Sequence, residues 1–156
     1  MNNHQIDKIL TRNQITSPHY LGCFASDEIL NINPMNLPFP QSMVVNFDPS
    51  DSKGSHWVAI FVNSPNNVDY YDSLGIWPPL NNNITKFLSQ FKLIRFNPYA
   101  FQNQNAKNCG KHTIFFLYNR SNGKSLDQIL NFLSKLKPSA IDGFVEIFVK
   151  NKIFTQ

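Results

Sequence analysis

Apolar positions change their spacing partway along this chain. In the first half they fall in short, nearly continuous blocks at residues 42–47 (SMVVNF), 56–63 (HWVAIFVN) and 68–72 (VDYYD). Blocks of this length, rich in β-branched and aromatic residues and bounded by polar turns, predict strands. Ser64, Pro65, Asn66 and Asn67 separate the last two blocks, which predicts a turn and an antiparallel pair. From Cys109 onward the spacing is helical. Residues 114–118 (IFFLY) are apolar nearly all round, as in a helix buried at the centre of a domain. Ser125 and Gln128 form a capping box ahead of Leu126, Ile129, Leu130, Leu133 and Leu136, the pattern of an amphipathic helix. Ile141, Phe144, Val145 and Phe148 repeat that spacing after Pro138 and Ser139, which start a last helix. Shorter helices are predicted at residues 5–12 and 80–90, and a further strand at 92–96.

Strands clustered in the middle, with helices flanking rather than alternating, predict an α+β fold: a central, mostly antiparallel sheet packed by helices. No repeat or linker divides the chain, and the proline-rich residues 33–41 are short enough to be a loop. A single domain over residues 1–156 is therefore expected, long enough to close one core without metal or disulfide staples.

Composition narrows the class. Hydrophobic residues make up 42% and charged residues 15%, which excludes a disordered tail or a collagen-like chain. No stretch reaches the roughly 18 apolar residues of a membrane span, and the opening MNNHQIDKILTRNQ lacks a charged start followed by an apolar run. The expectation is no membrane and a reducing, intracellular setting, because Cys23 and Cys109 stand in unlike contexts that do not suggest a pair. The net charge of +4 hides a split, −4 over residues 1–85 and +8 over residues 86–156. Such asymmetry marks either a polyanion-facing surface or solvated helix faces.

Cys109 is the sharpest chemical signal. It precedes Gly110 at the predicted start of the buried helix, after the polar loop FQNQNAKN. Unpaired N–H groups and the helix dipole lower a thiol's pKa there. A free thiol is about 3% ionised at pH 7, so full ionisation gains at most about 30-fold, roughly 2 kcal/mol. A base and oxyanion donors must supply the rest, each worth on the order of 10². His56 opens a strongly apolar strand just after Lys53, Gly54 and Ser55, a place where a side chain is rigid and still faces a cleft. Asp72 ends the next strand, and a turn centred near residue 65 sets position 58 opposite 72, close to His56. An Asp accepting from one imidazole nitrogen leaves the other for the thiol. His4 and His19 are expected at the surface, His112 in a structural or solvent role, and Cys23, within YLGCF, as an inert packing thiol. No metal site or cofactor is expected.

The strings GSHWVAIFVN, VDYYDSLG and FQNQNAKNCGKHTIFFLY, with the earlier YLGCFASDEI, resemble the adenovirus-type maturation proteases. These adenain-like cysteine proteases share a clan with the Ulp and SENP deSUMOylating enzymes. The resemblance covers roughly residues 18–120 and keeps the order His, acid, Gln, Cys; papain-type enzymes run Cys, His, Asn instead. It implies the adenain/Ulp-like fold, Cys109 as nucleophile, His56 as general base and acid, and Asp72 as orienting acid. Gln102 would donate to the oxyanion together with the Cys109 backbone N–H, and Trp57 would shield a narrow substrate channel. Gln102 stands seven residues before the cysteine, as in the adenovirus branch, where the Ulp branch usually has six; Gln104, at five, is the fallback.

The resemblance further implies an endopeptidase that cuts after small residues such as Gly. The Gln102 spacing, the small size and the abundance of Asn, Lys, Ile and Phe, a bias that AT-rich codons produce, favour a viral or transposon-borne maturation protease of the virophage or polinton-like kind, acting on a capsid-protein precursor in the virion and in the host-cell cytoplasm or virus factory. DNA or a peptide activator would be its partners. Two alternatives stand: a Ulp-like protease of ubiquitin-like modifiers, and a non-catalytic DNA-binding or capsid structural protein in which the basic helices matter.

Overall fold

The computed structural model describes residues 1–153, with side chains through residue 151. Five strands form one sheet in chain order: β1 (Tyr20–Phe24), β2 (Gln41–Asn46), β3 (Trp57–Ser64), β4 (Asn67–Tyr71) and β5 (Leu93–Phe96). The inner pairs β2/β3 and β3/β4 are antiparallel, while the outer pairs β1/β2 and β4/β5 are parallel. The β3/β4 hairpin and its register agree with the sequence: Ala59 faces Tyr71, so continuing the ladder puts Val58 beside Asp72.

Strand alternation divides the core into two layers. Val44, Ala59, Phe61 and Tyr71 join the layer of α1 (Asn3–Arg12), α3 (Cys109–Ser121), α4 (Leu126–Ser134) and α5 (Pro138–Ile153). Met43, Val45, Val58, Ile60, Val62, Val68 and Tyr70 face the other way, onto α2 (Asn83–Leu88) and Ile29. Period-2 alternation explains how one nearly unbroken apolar strand serves both sides. The predicted helices are present with adjusted ends. The helix placed at residues 80–90 is trimmed to α2 because Asn82 caps it, accepting from the Ile84 N–H, after Pro78 and Pro79. α4 starts on the expected Ser125 and Gln128 capping box, and Asn2 with Gln5 forms a second one at α1. β1 is the strand missing from the sequence reading: Gly22 interrupts its alternation, and its register to β2 shifts between Tyr20 and Gly22.

α3 is fastened to the sheet at its far end by a buried charge cluster. Asp69 on β4 has no solvent exposure and accepts from Arg95 Nε at 2.9 Å and Nη2 at 3.2 Å. Arg120 of α3 adds an Nη2 contact at 2.9 Å and lies 4.3 Å from the centre of the Phe61 ring. Removing one member strands the others' charge in a low dielectric, which costs about 3–5 kcal/mol. Asp69→Ala is therefore expected to lower unfolding free energy by about that much in urea titration; a loss below about 1 kcal/mol would show that the cluster is solvated rather than buried.

Candidate active site

The site forms where the β3/β4 hairpin meets the first turn of α3. His56 sits at the mouth of β3, held edge-on by Phe47 with ring centres 5.2 Å apart. Asp72 follows the last residue of β4 and is fully buried. The His56 Nε2 to Asp72 Oδ1 distance is 2.7 Å, which leaves Nδ1 free of Asp72, and the Cys109 sulfur shares the cleft and is near enough to shift the ring's pKa.

The acid is positioned by its own turn. Asp72 Oδ1 accepts from the Leu74 N–H at 2.8 Å, and its carbonyl accepts from the Gly75 N–H at 2.8 Å. Gly75 has φ +66°, and a Cβ there would lie 2.5 Å from the Tyr99 carbonyl carbon, so the Ser-Leu-Gly turn requires its glycine. Asn97, just after β5, donates to the Asp72 carbonyl and accepts from the Asp72 N–H at 2.9 Å. Asp72 Oδ2 is buried with no hydrogen-bond partner, so the carboxylate acts chiefly on His56.

The charges follow from these contacts. Burial pulls the His56 pKa down, but Asp72 and the Cys109 sulfur outweigh it and push the ring up to about 9. Burial likewise raises the Cys109 thiol, yet hydrogen bonds from His56 and from the Trp57 and Gly110 backbone N–H groups leave it below its ordinary value. Asn108 gives α3 no side-chain cap, so first-turn N–H groups are left for the site. The arrangement favours an imidazolium–thiolate pair. Cys23 is the opposite case: burial, with Asp7 and Glu28 near, pushes its thiol far up and keeps it protonated.

Gln102 is buried, and its amide orientation is determined by its partners. Oε1 accepts from the Ser73 hydroxyl at 2.6 Å, and Nε2 donates to the Ala106 carbonyl at 2.6 Å. A carbonyl only accepts, so Nε2 must be the atom facing Ala106 and its second N–H remains for a ligand. The Ser73 carbonyl also accepts from the Phe101 and Gln102 N–H groups at 2.8 and 2.9 Å. The acid turn thus holds the oxyanion candidate directly.

His56, Trp57, Leu74, Gln102, Gln104 and Cys109 line a cleft of about 450 Å³. Trp57 stands on its wall, its indole N–H donating to Asn3 Oδ1 at 2.7 Å. Gln104 is exposed on the loop. His4 and His19 lie apart from the cleft lining, His4 exposed and His19 half-buried, and His112 is fully buried with protein partners, the structural half of its expectation. Ser73, Asn97 and the Trp57 N–H were missed in sequence; Ser73 lies within the DSLG turn, but nothing local shows that its hydroxyl reaches Gln102. Among the described residues no group of His, Cys, Asp and Glu side chains is arranged to hold a metal ion, and no helix is long and apolar enough to cross a membrane.

No protein-family model matches the chain. Over 119 aligned residues it is 28% identical to a protein of Acanthamoeba polyphaga mimivirus named as a thiol protease, covering 70% of this chain and 38% of that protein. Among solved structures, the ASFV protease superposes with a TM-score of 0.53 at 20% identity, covering 93% of this chain and 66% of that one. The central domain of an uncharacterized Legionella pneumophila protein matches with a TM-score of 0.53 at 14% identity, covering 97% and 96%. The mixed architecture, a five-stranded sheet with helices packed on it, is thus a fold shared with the ASFV protease. The chain spans 38% of the mimivirus protein's length and 66% of the ASFV protease's.

Iodoacetamide is expected to modify Cys109 rapidly at pH 6, where an ordinary thiol is almost wholly protonated, and to leave Cys23 unmodified. In His56→Ala, the rise of Cys109 alkylation with pH should move up toward that of a free thiol. Equal rates at the two cysteines of the wild type would contradict the charge assignment.

Proposed function

We propose that this chain is a cysteine endopeptidase that works by acyl transfer through Cys109. The observation that carries the reading is the buried line from Asp72 through His56 to the Cys109 thiol, with the Gln102 amide locked beside it. The thiolate attacks the scissile carbonyl, forming the S–C bond and moving the carbonyl π electrons onto oxygen. The free Gln102 N–H and the Cys109 backbone N–H receive that oxyanion. As the tetrahedral species collapses, the C–N bond breaks and the His56 imidazolium gives its proton to the leaving amine. Neutral His56 then takes a proton from water, which attacks the thioester; the acid departs and the thiolate–imidazolium pair returns. Asp72 holds the ring's orientation and stabilises its charge throughout.

We further propose that the enzyme cleaves capsid-protein precursors during virion maturation, in the virion and in the host cytoplasm or virus factory, after small residues such as Gly. The cleft wall at Trp57 supports a narrow approach to sulfur. Matches to a viral thiol-protease-named protein and to a viral protease structure support the setting. DNA or a peptide activator would act on the lysine-bearing helical half. The test is incubation of wild type and variants with a capsid precursor and sequencing of the product termini. Cys109→Ala and His56→Ala should abolish cleavage and Cys23→Ala should leave it intact, while Gln102→Ala should lower turnover by about 10² to 10³. Full activity in Cys109→Ala would reject the mechanism. Cleavage confined to intact SUMO-like precursors would move the substrate to ubiquitin-like modifiers.

A further inference from the structure

The loop from Gln102 to Cys109 is fastened on its helical side by one carboxylate. Asp142, in the second turn of α5, accepts from the Asn103 backbone N–H through Oδ2 at 2.9 Å. Its Oδ1 accepts from Asn108 Nδ2 at 3.0 Å and lies 2.9 Å from His112 Nε2. Asn103 follows the oxyanion candidate, Asn108 precedes the nucleophile, and His112 lies one helical turn beyond it.

The histidine in this group is not a second base. A carboxylate only accepts, so Nε2 carries the hydrogen, and Nδ1 is left to accept from the Tyr71 hydroxyl at 3.3 Å. Burial holds the ring's pKa below its ordinary value despite Asp142, so His112 stays neutral. Asp142 itself is kept ionised: burial raises its pKa, but hydrogen bonds from His112, Asn103 and Asn108 bring it below its ordinary value.

Within the loop the Ala106 N–H donates to the Asn103 carbonyl and the Asn105 N–H to Asn103 Oδ1, while the Ala106 carbonyl holds Gln102 Nε2. Displacing Asn103 therefore displaces the acceptor that aims the Gln102 amide. Ser73 holds that amide from the sheet side, and Asp142 holds its loop from the helix side.

We propose that Asp142 is a positioning residue for the oxyanion hole, setting the placement of the Gln102 amide relative to the Cys109 sulfur through its bonds to Asn103, Asn108 and His112. The inference rests on the cysteine-protease reading above. It separates two properties of the site: formation of the thiolate depends on His56 and the Trp57 and Gly110 N–H groups, whereas oxyanion stabilisation depends on Asp142 as well.

Two probes of the full chain read these properties apart. Chloroacetamide alkylates the thiolate by displacing chloride and builds no oxyanion. A tetrapeptide aldehyde ending in Gly-glycinal forms an S–C bond with Cys109 and places negative charge on the former carbonyl oxygen. Asp142→Asn is expected to weaken aldehyde affinity about 10-fold or more, a fraction of the 10² to 10³ that an oxyanion donor is worth. Its chloroacetamide rate and pH profile should stay within about 2-fold of wild type, well short of the 10-fold change that one pKa unit makes at acid pH. Glu146→Gln, which breaks only the α5 ion pair to Lys111, should leave both readouts unchanged. If Asp142→Asn does not fold, Asn108→Ala carries the same test, since it removes one Asp142 bond and the Asn108 side chain makes no capping hydrogen bond to α3. Unchanged aldehyde affinity in the folded variant overturns the proposal, as does an alkylation rate that falls in step with it. A wild-type Cys109 that reacts no faster than Cys23 would instead overturn the protease reading.

Discussion

A carboxylate with no solvent exposure and one oxygen without a hydrogen-bond partner is an expensive thing to bury, and Asp72 is such a group. Its backbone is tied on both sides by Asn97, its Oδ1 is capped by the Leu74 N–H, and the positive charge it faces is His56. Deprotonating His56 would leave that buried charge without a counter-ion, so the ring is held protonated up to about 9. A protonated ring beside Cys109 in turn favours the thiolate. The ionisation of Cys109 is thus set two groups away, by the way β4 ends.

The hairpin alone does not complete the site, because Gln102 and Cys109 come from the loop before α3 and from α3 itself. The coupling between the two halves is covalently short but spatially broad. Ser73, next to Asp72, holds Gln102 by side chain and backbone. Tyr71, the residue before Asp72, stacks on Phe116 with ring centres 4.6 Å apart and reaches His112. Three successive residues at the β4 end therefore hold His56, Gln102 and the helix that Cys109 begins. Gly110 lets α1 approach this helix: a Cβ there would lie 3.2 Å from Ile6 Cδ1, so the glycine after Cys109 serves packing as well as its N–H.

Much of this was legible in sequence because it is local or periodic. The β3/β4 pairing follows from two apolar blocks and a turn, and the placement of Cys109 follows from a polar loop that yields to a helix. The four residues of the catalytic proposal could be placed in order by resemblance, and the structure brings them together. What could not be read has no local signature. Asp142 meets Asn103, Asn108 and His112 across 39, 34 and 30 positions, on a helix whose visible pattern reports only its apolar stripe. The parallel pairing of the edge strands is equally mute: β1 carries a glycine, and although β5 was predicted as a strand, nothing in four or five residues states which neighbour a strand joins or in which direction.

The charge asymmetry takes a different meaning once partners are known. Residues 86–156 carry a formal +8, but part of that charge is turned inward or neutralised. Arg95 and Arg120 converge on Asp69 beneath the sheet, and Lys111 pairs with Glu146 of α5. The acidic half supplies Asp69 and Asp72; the basic half answers the first with two arginines and leaves the second to His56. Segregating the charges along the chain thus makes strand and helix halves complementary, and two of the arginines counted toward a polyanion-facing surface are spent holding α3 and β5 against β4. Only the remaining lysines are left to address a partner, which weakens the case for DNA from total charge and leaves it to rest on where those lysines lie.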